Sequence, residues 1–140
     1  MTNIQASNNE FGIKSLYDLA GGEVGVLELV RTFYDIVETD PAAHKLLLLH
    51  LRGNGLAHSR VEQFNFLSGF LGGPRLYVEK HGHSNVRIMH EHVEINIESK
   101  DIWLECMAKS IDKIGYEEST KSKLMSNFTV AAERLVNKSS

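Results

Sequence analysis

Seven histidines occur in 140 residues, and four of them fall within positions 81–92, between the Gly72-Gly73-Pro74 break and Trp103. Imidazole binds metals and titrates near neutral pH. Its crowding beside a turn therefore points to a bound metal or metallocofactor. His81 and His83 are two apart, as are His90 and His92, and residues two apart on a helix do not face one another. No His-Glu-x-x-His or Cys-x-x-Cys pattern is present, which disfavours a zinc site. A heme iron needs only one axial imidazole in an apolar slot. His90, preceded by Val86, Ile88 and Met89, is placed to supply it. Spacing alone still favours a partly exposed surface histidine over a ligand.

Three other polar side chains sit on apolar stripes. Tyr34 follows Phe33 on one stripe, and a buried phenol must find a hydrogen-bond partner or meet a polar ligand. Trp103 offers an indole N–H that can only donate. Gln63, flanked by Val61 and Phe64, is a further donor if it faces a pocket. A buried tyrosine is usually a satisfied core residue, and composition alone gives no reason to prefer another role for Tyr34; Trp103 has the same ambiguity. Arg87 lies three residues before His90, on nearly the same side of a helix, where it can take a carboxylate in bidentate fashion. No Ser/His/Asp arrangement, phosphate-binding loop or dinucleotide-binding glycine pattern is present.

Helices must position these groups. Apolar spacing predicts helices over about 14–19, 24–38, 57–71, 85–92, 99–114 and 117–137. Gly21-Gly22, Asp40-Pro41 and Gly72-Gly73-Pro74 separate them. A turn-rich link containing Arg52-Gly53-Asn54-Gly55 is expected after Pro41, and loop with a turn or two of helix over 75–84. The second helix would bury Val26, Leu27, Val30, Phe33, Tyr34 and Val37, and the third Val61, Phe64, Leu67, Phe70 and Leu71. The fold class is all-α.

The composition is 42% hydrophobic and 24% charged, with net charge −3, as in an ordinary globular protein. Nothing favours nucleic acid or an anionic membrane as partner. No apolar run is long enough to span a bilayer. Residues 1–11 read as a flexible leader without a secretory signal, so a cytoplasmic protein is expected, with one domain over 12–140. The single cysteine, Cys106, excludes an internal disulfide.

The order and spacing of Phe33-Tyr34, Leu71-Gly72-Gly73-Pro74, Leu76-Tyr77, His81-Gly82-His83, Arg87-Ile88-Met89-His90 and Trp103-Leu104-Glu105-Cys106-Met107 resemble the second group of truncated, two-on-two hemoglobins. The resemblance runs from about Ser15 to Asn137. It implies a globin-like two-on-two helical sandwich holding one heme b, with His90 as proximal iron ligand. Tyr34 and Trp103 would be the distal donors. Tyr77, Arg87 and Lys80 would lie near the heme propionates. Ser59, Gln63, Phe66 and Leu67 would face the heme from the distal helix. The corner residue after the second helix would be His50, with His44 and His58 as alternatives. Glu62 stands where the family often has a basic propionate partner, a role Arg60 would then take.

The resemblance further implies reversible binding of O2, CO, NO or peroxide, with oxygen binding or transport as the use. The alternative is heme-dependent redox catalysis, either peroxidase-type or nitric oxide dioxygenation, served by an external reductase.

Overall fold

The computed structural model describes residues 14–91 and 93–138. The expected leader and His92 lie outside the described residues. The chain forms α1 (Leu16–Leu19), α2 (Gly22–Thr39), a 3-10 turn (Pro41–Ala43), α3 (His44–Arg52), α4 (Leu56–Phe70), α5 (Leu76–His81), α6 (Val86–Met89), α7 (Ile97–Ile114) and α8 (Glu118–Leu135). Among the described residues there is no strand, and no helix is long and apolar enough to cross a membrane.

The breaks have local causes. At Gly25 a Cβ would lie 1.9 Å from the Ala20 carbonyl oxygen, so only glycine lets α2 start this close behind α1. Asp40 accepts from the Ala42 amide at 2.9 Å and caps the 3-10 turn, while Pro41 cannot continue α2. Asn85 and Asn96 accept from backbone amides at the starts of α6 and α7, the usual work of an N-cap asparagine.

α2 packs on α4, α7 packs on α8, and α2 lies against α7 to join the two pairs. The shared core is Val26, Leu29, Val30, Phe33, Tyr34 and Val37 of α2 with Met107, Ile111, Leu124 and Phe128. Two stripe expectations are corrected: Val61 is 54% exposed and Leu27 43% exposed. The core face of α2 runs instead through Leu29, which keeps the 3- and 4-residue steps from Val26 and to Phe33. The link after Pro41 is also corrected, because nine of its residues form α3. No Gly or Pro interrupts His44–Arg52, and the leucines Leu46–Leu49 are good helix formers. The turn is confined to the segment around Gly53 and Gly55, whose amides both bond back to the His50 carbonyl.

The segment after α6 is tied to the end of α8 by the backbone amides of Asn137 and Lys138, which donate to the Ile95 carbonyl at 2.9 and 3.2 Å, by a Lys138–Glu94 ion pair, and by the Asn137 side chain. Asn137 Oδ1 accepts from the Ile95 amide at 2.7 Å, and Asn137 Nδ2 donates to the carbonyls of Val93 at 2.9 Å and His90 at 3.3 Å. These bonds tie residues 90–95 to the end of α8. Asn137→Ala is expected to cost about 1 kcal/mol, the lower end of the range because the bonds are partly solvent-accessible. Hydrogen exchange of the 93–95 amides should accelerate, and unchanged exchange there would show that the segment is held by its other contacts instead.

Candidate functional site

Between the two helix pairs lies a cavity of about 370 Å3, within the size range of small-molecule and cofactor sites. Its walls are mostly apolar, from Leu46, Leu49, Phe66, Leu67, Val86, Ile88, Met89, Val93, Ile95, Phe128 and Leu135. Nine sequence-designated residues line it: His90, Tyr77, Phe66, Leu67, Tyr34, Trp103, His50, Gln63 and Ser59. Arg87 and Lys80 are not part of this lining.

His90 ends α6 rather than lying within it, with φ −119° and ψ 12°. Its Nδ1 lies 2.8 Å from the Val86 carbonyl oxygen, one turn back. A carbonyl can only accept, so Nδ1 carries the proton, and in the neutral imidazole Nε2 carries the lone pair. This is the tautomer a metal-ligating imidazole needs, oriented by a backbone acceptor.

Tyr34 enters from α2 and is 2% exposed. Its ring packs edge-on to Phe33 and His50 at 4.9 and 5.3 Å. Its hydroxyl lies 3.2 Å from Gln63 Oε1 and 3.4 Å from His50 Nε2. His50 Nδ1 lies 2.9 Å from the Leu46 carbonyl and donates to it, so the Nε2 of neutral His50 accepts. One phenolic proton thus faces two acceptors, both at long range. Gln63 Nε2 is buried with no partner among the described residues, a donor beside the cavity for which the protein supplies no oxygen. Burial pushes the Tyr34 phenol far above the ordinary tyrosine value, against smaller opposing effects of the Arg60 charge and Ser59. Burial also lowers His50 below 6.5, so both groups are neutral at pH 7.

Of the three histidines open for the corner position, His50 is the one that meets Tyr34. His58 lines the cavity as well, and His44 is exposed. Trp103 packs its ring on Phe33 and Phe128 at 5.3 and 5.8 Å, one face of the cavity.

At the rim, the Glu62 carboxylate holds Lys80 Nζ and His81 Nε2, each at 2.5 Å. Burial opposes ionisation of Glu62, but these partners outweigh it and keep its pKa below the ordinary carboxylate value. Arg60 is committed elsewhere, to Asp35 at 3.1 Å and Glu38 at 2.6 Å, with its guanidinium 5.6 Å from the Tyr34 ring centre. Two further lining residues, His83 and Lys100, carried no assignment from sequence. Lys100 is signalled only by standing three residues before Trp103, hence on a neighbouring face of α7.

The donor set fits a planar metallocofactor with one protein-supplied axial nitrogen. One imidazole has a fixed tautomer, neutral donors come from other elements, and the walls are apolar. Residues 15–137 match the bacterial-like globin family. Group 2 truncated hemoglobin YjbI of Bacillus subtilis (strain 168) is 35% identical over 121 residues, covering 86% of this chain and 87% of the relative. The cold-adapted truncated hemoglobin of the Antarctic marine bacterium Pseudoalteromonas haloplanktis TAC125 superposes with a TM-score of 0.82 at 37% identity, over 89% of this chain and 99% of that one. The group II 2-on-2 hemoglobin of Agrobacterium tumefaciens gives a TM-score of 0.82 at 30% identity, over 89% and 95%. The chain belongs to the bacterial-like globin family and, within it, is a group II truncated, two-on-two hemoglobin.

Proposed function

We propose that this protein binds one heme b through His90 and uses Tyr34, Trp103 and Gln63 to retain a diatomic ligand such as O2. The observation that carries the reading is the pairing, in one apolar cavity, of an imidazole locked in the ligating tautomer with uncharged hydrogen-bond donors from other elements. Heme, when bound, would supply an iron able to take a small diatomic ligand, with His90 as the residue that would hold it.

The residues define how that ligand would be treated. Tyr34 makes only long hydrogen bonds to its present partners, so turning its O–H toward a ligand gives up little. Trp103 N–H can only donate and so favours a ligand atom bearing negative charge. Gln63 can present either end of its amide. None of the three is ionised at neutral pH, which keeps the cost of burying them low. A net hydrogen bond of this kind contributes about 0.5–1.5 kcal/mol, and two together favour retention over rapid release. Redox turnover at the same site would additionally require an external electron donor.

Titration of apoprotein with hemin is expected to give a one-to-one Soret endpoint, with His90→Ala binding weakly and showing an altered band. Unsaturable, featureless binding in both proteins would overturn the heme reading. In the loaded protein, Tyr34→Phe and Trp103→Phe should each speed O2 release by roughly 2- to 13-fold, the range equivalent to one net hydrogen bond. Identical release rates in all three would remove the distal donors from the account. Peroxide turnover that falls in parallel in these variants would add a catalytic role.

The pH dependence follows from His50. Its folded pKa is depressed, so below the ordinary value of 6.5 the unfolded chain takes up a proton that the folded chain resists. Stability therefore falls as pH drops from about 6.5 toward the folded pKa. His50→Gln should flatten that part of the profile in chemical denaturation of the apoprotein. A profile identical to wild type would show that His50 titrates normally.

A further inference from the structure

The Tyr34 hydroxyl is a donor whose direction its own side chain does not fix. It carries one proton and stands between two protein acceptors, Gln63 Oε1 at 3.2 Å and His50 Nε2 at 3.4 Å. These contacts join α2, α3 and α4, and every atom in them belongs to the protein. His50 is oriented independently, because its Nδ1 donates to the Leu46 carbonyl at 2.9 Å. A neutral imidazole held this way has only Nε2 left, and that atom can only accept. A protonated one keeps the Leu46 bond and turns Nε2 into a donor. The contact to Tyr34 then runs in the opposite direction.

We propose that His50 is a proton switch that sets the direction of the Tyr34 hydroxyl. Protonated, His50 donates through Nε2 to the Tyr34 oxygen and drives the Tyr34 O–H toward Gln63 and the ligand. The ligand consequence rests on the reading of Tyr34 as a donor to a heme-bound diatomic. With neutral His50, the ligand competes with His50 Nε2 and Gln63 Oε1 for one phenolic proton. With protonated His50, the first competitor is gone. Tyr34 then donates to the ligand, or to Gln63 Oε1, which holds that amide with its unpartnered Nε2 free to donate in turn. Retention therefore tightens with acid.

The other charges around His50 are paired elsewhere. Tyr34 is the titratable group that meets it from α2. From α4, His58, Arg60 and Glu62 lie at the cavity or its edge, and from α7, Lys100. Arg60 is held by Asp35 and Glu38, Glu62 by Lys80, and Lys100 by Asp101. On α3 itself Lys45 is held by Glu98, Arg52 bonds back to the Leu48 carbonyl, and His44 is exposed. The 3-10 turn, Pro41–Ala43, carries no titratable side chain. Burial is the largest influence on His50 and places its transition on the acid side of 6.5, with the Leu46 carbonyl opposing. His58 is the rival imidazole at the cavity and serves as the control.

The test follows O2 release from the heme-loaded protein between about pH 8 and 5.5, in wild type, His50→Gln, Tyr34→Phe, the double variant and His58→Gln. Wild-type release is expected to slow by roughly 2- to 5-fold as pH falls, within the range of one net hydrogen bond. His50→Gln and Tyr34→Phe should each lose that response, and the double variant should lose no more than either alone. His58→Gln should keep it. Release that stays level or quickens with acid in wild type overturns the switch. So does a response that survives in Tyr34→Phe, which would show the imidazolium charge acting on the ligand directly. Loss of the response in His58→Gln with its survival in His50→Gln assigns the proton to the other imidazole and also overturns it. A second readout needs no ligand: in the protein as purified, the Tyr34 ring-carbon NMR shift should move with the His50 ring-nitrogen titration, at one shared midpoint, and stay level in His50→Gln. If the protein takes up no hemin, a shared midpoint still establishes the switch, and only the ligand consequence fails with the heme reading. Separate midpoints in a protein that binds hemin normally overturn the switch and leave the heme reading intact.

Discussion

A helix of one turn has too few hydrogen bonds to hold its own shape, so the position of His90 depends on what grips α6 from outside. Asn85 fixes the first turn by accepting from the Arg87 and Ile88 amides. α8 packs along α6. The Asn137 side chain then bonds to three backbone groups beyond it. Within that clamp, the Val86 carbonyl sets the imidazole's orientation and tautomer at once. The catch point is therefore built from the two ends of the C-terminal half, and the core behind it only has to keep α8 in place.

Under the proposed function, the Tyr34 side of the cavity obeys the opposite requirement. Groups meant to serve a ligand must not be satisfied by one another. Tyr34 has one proton and two distant acceptors, and Gln63 has a buried nitrogen with no acceptor among the described residues. A fully satisfied network would be more rigid and more stable, but would offer nothing to an incoming oxygen atom. Tyr34 is held in place by its ring instead, packed between Phe33 and His50. Position comes from apolar contact, and the polar tip stays available.

These arrangements were legible in the sequence to different depths. The long helices could be read because their apolar periods are unbroken and Gly or Pro marks their ends. α3 was missed because four consecutive leucines carry no period, and a short apolar run does not distinguish helix from loop. That miss left the corner histidine open. Whether His44, His50 or His58 meets Tyr34 depends on the register of α3 and on how α4 packs, which only the folded chain defines. The ion pairs of Arg60 and Lys80 could not be read from sequence for a related reason. A long flexible cation takes whichever carboxylate or cavity tertiary packing brings near, and Arg60 met Asp35 and Glu38 on α2.

Charge placement sets the character of the cavity. In its wall, charges are largely compensated from within the protein: Glu62 by Lys80, and Lys100 by Asp101 at 2.6 Å. What remains there to face a ligand is apolar surface and neutral donors, the condition under which a weakly polar diatomic is held without drawing in water.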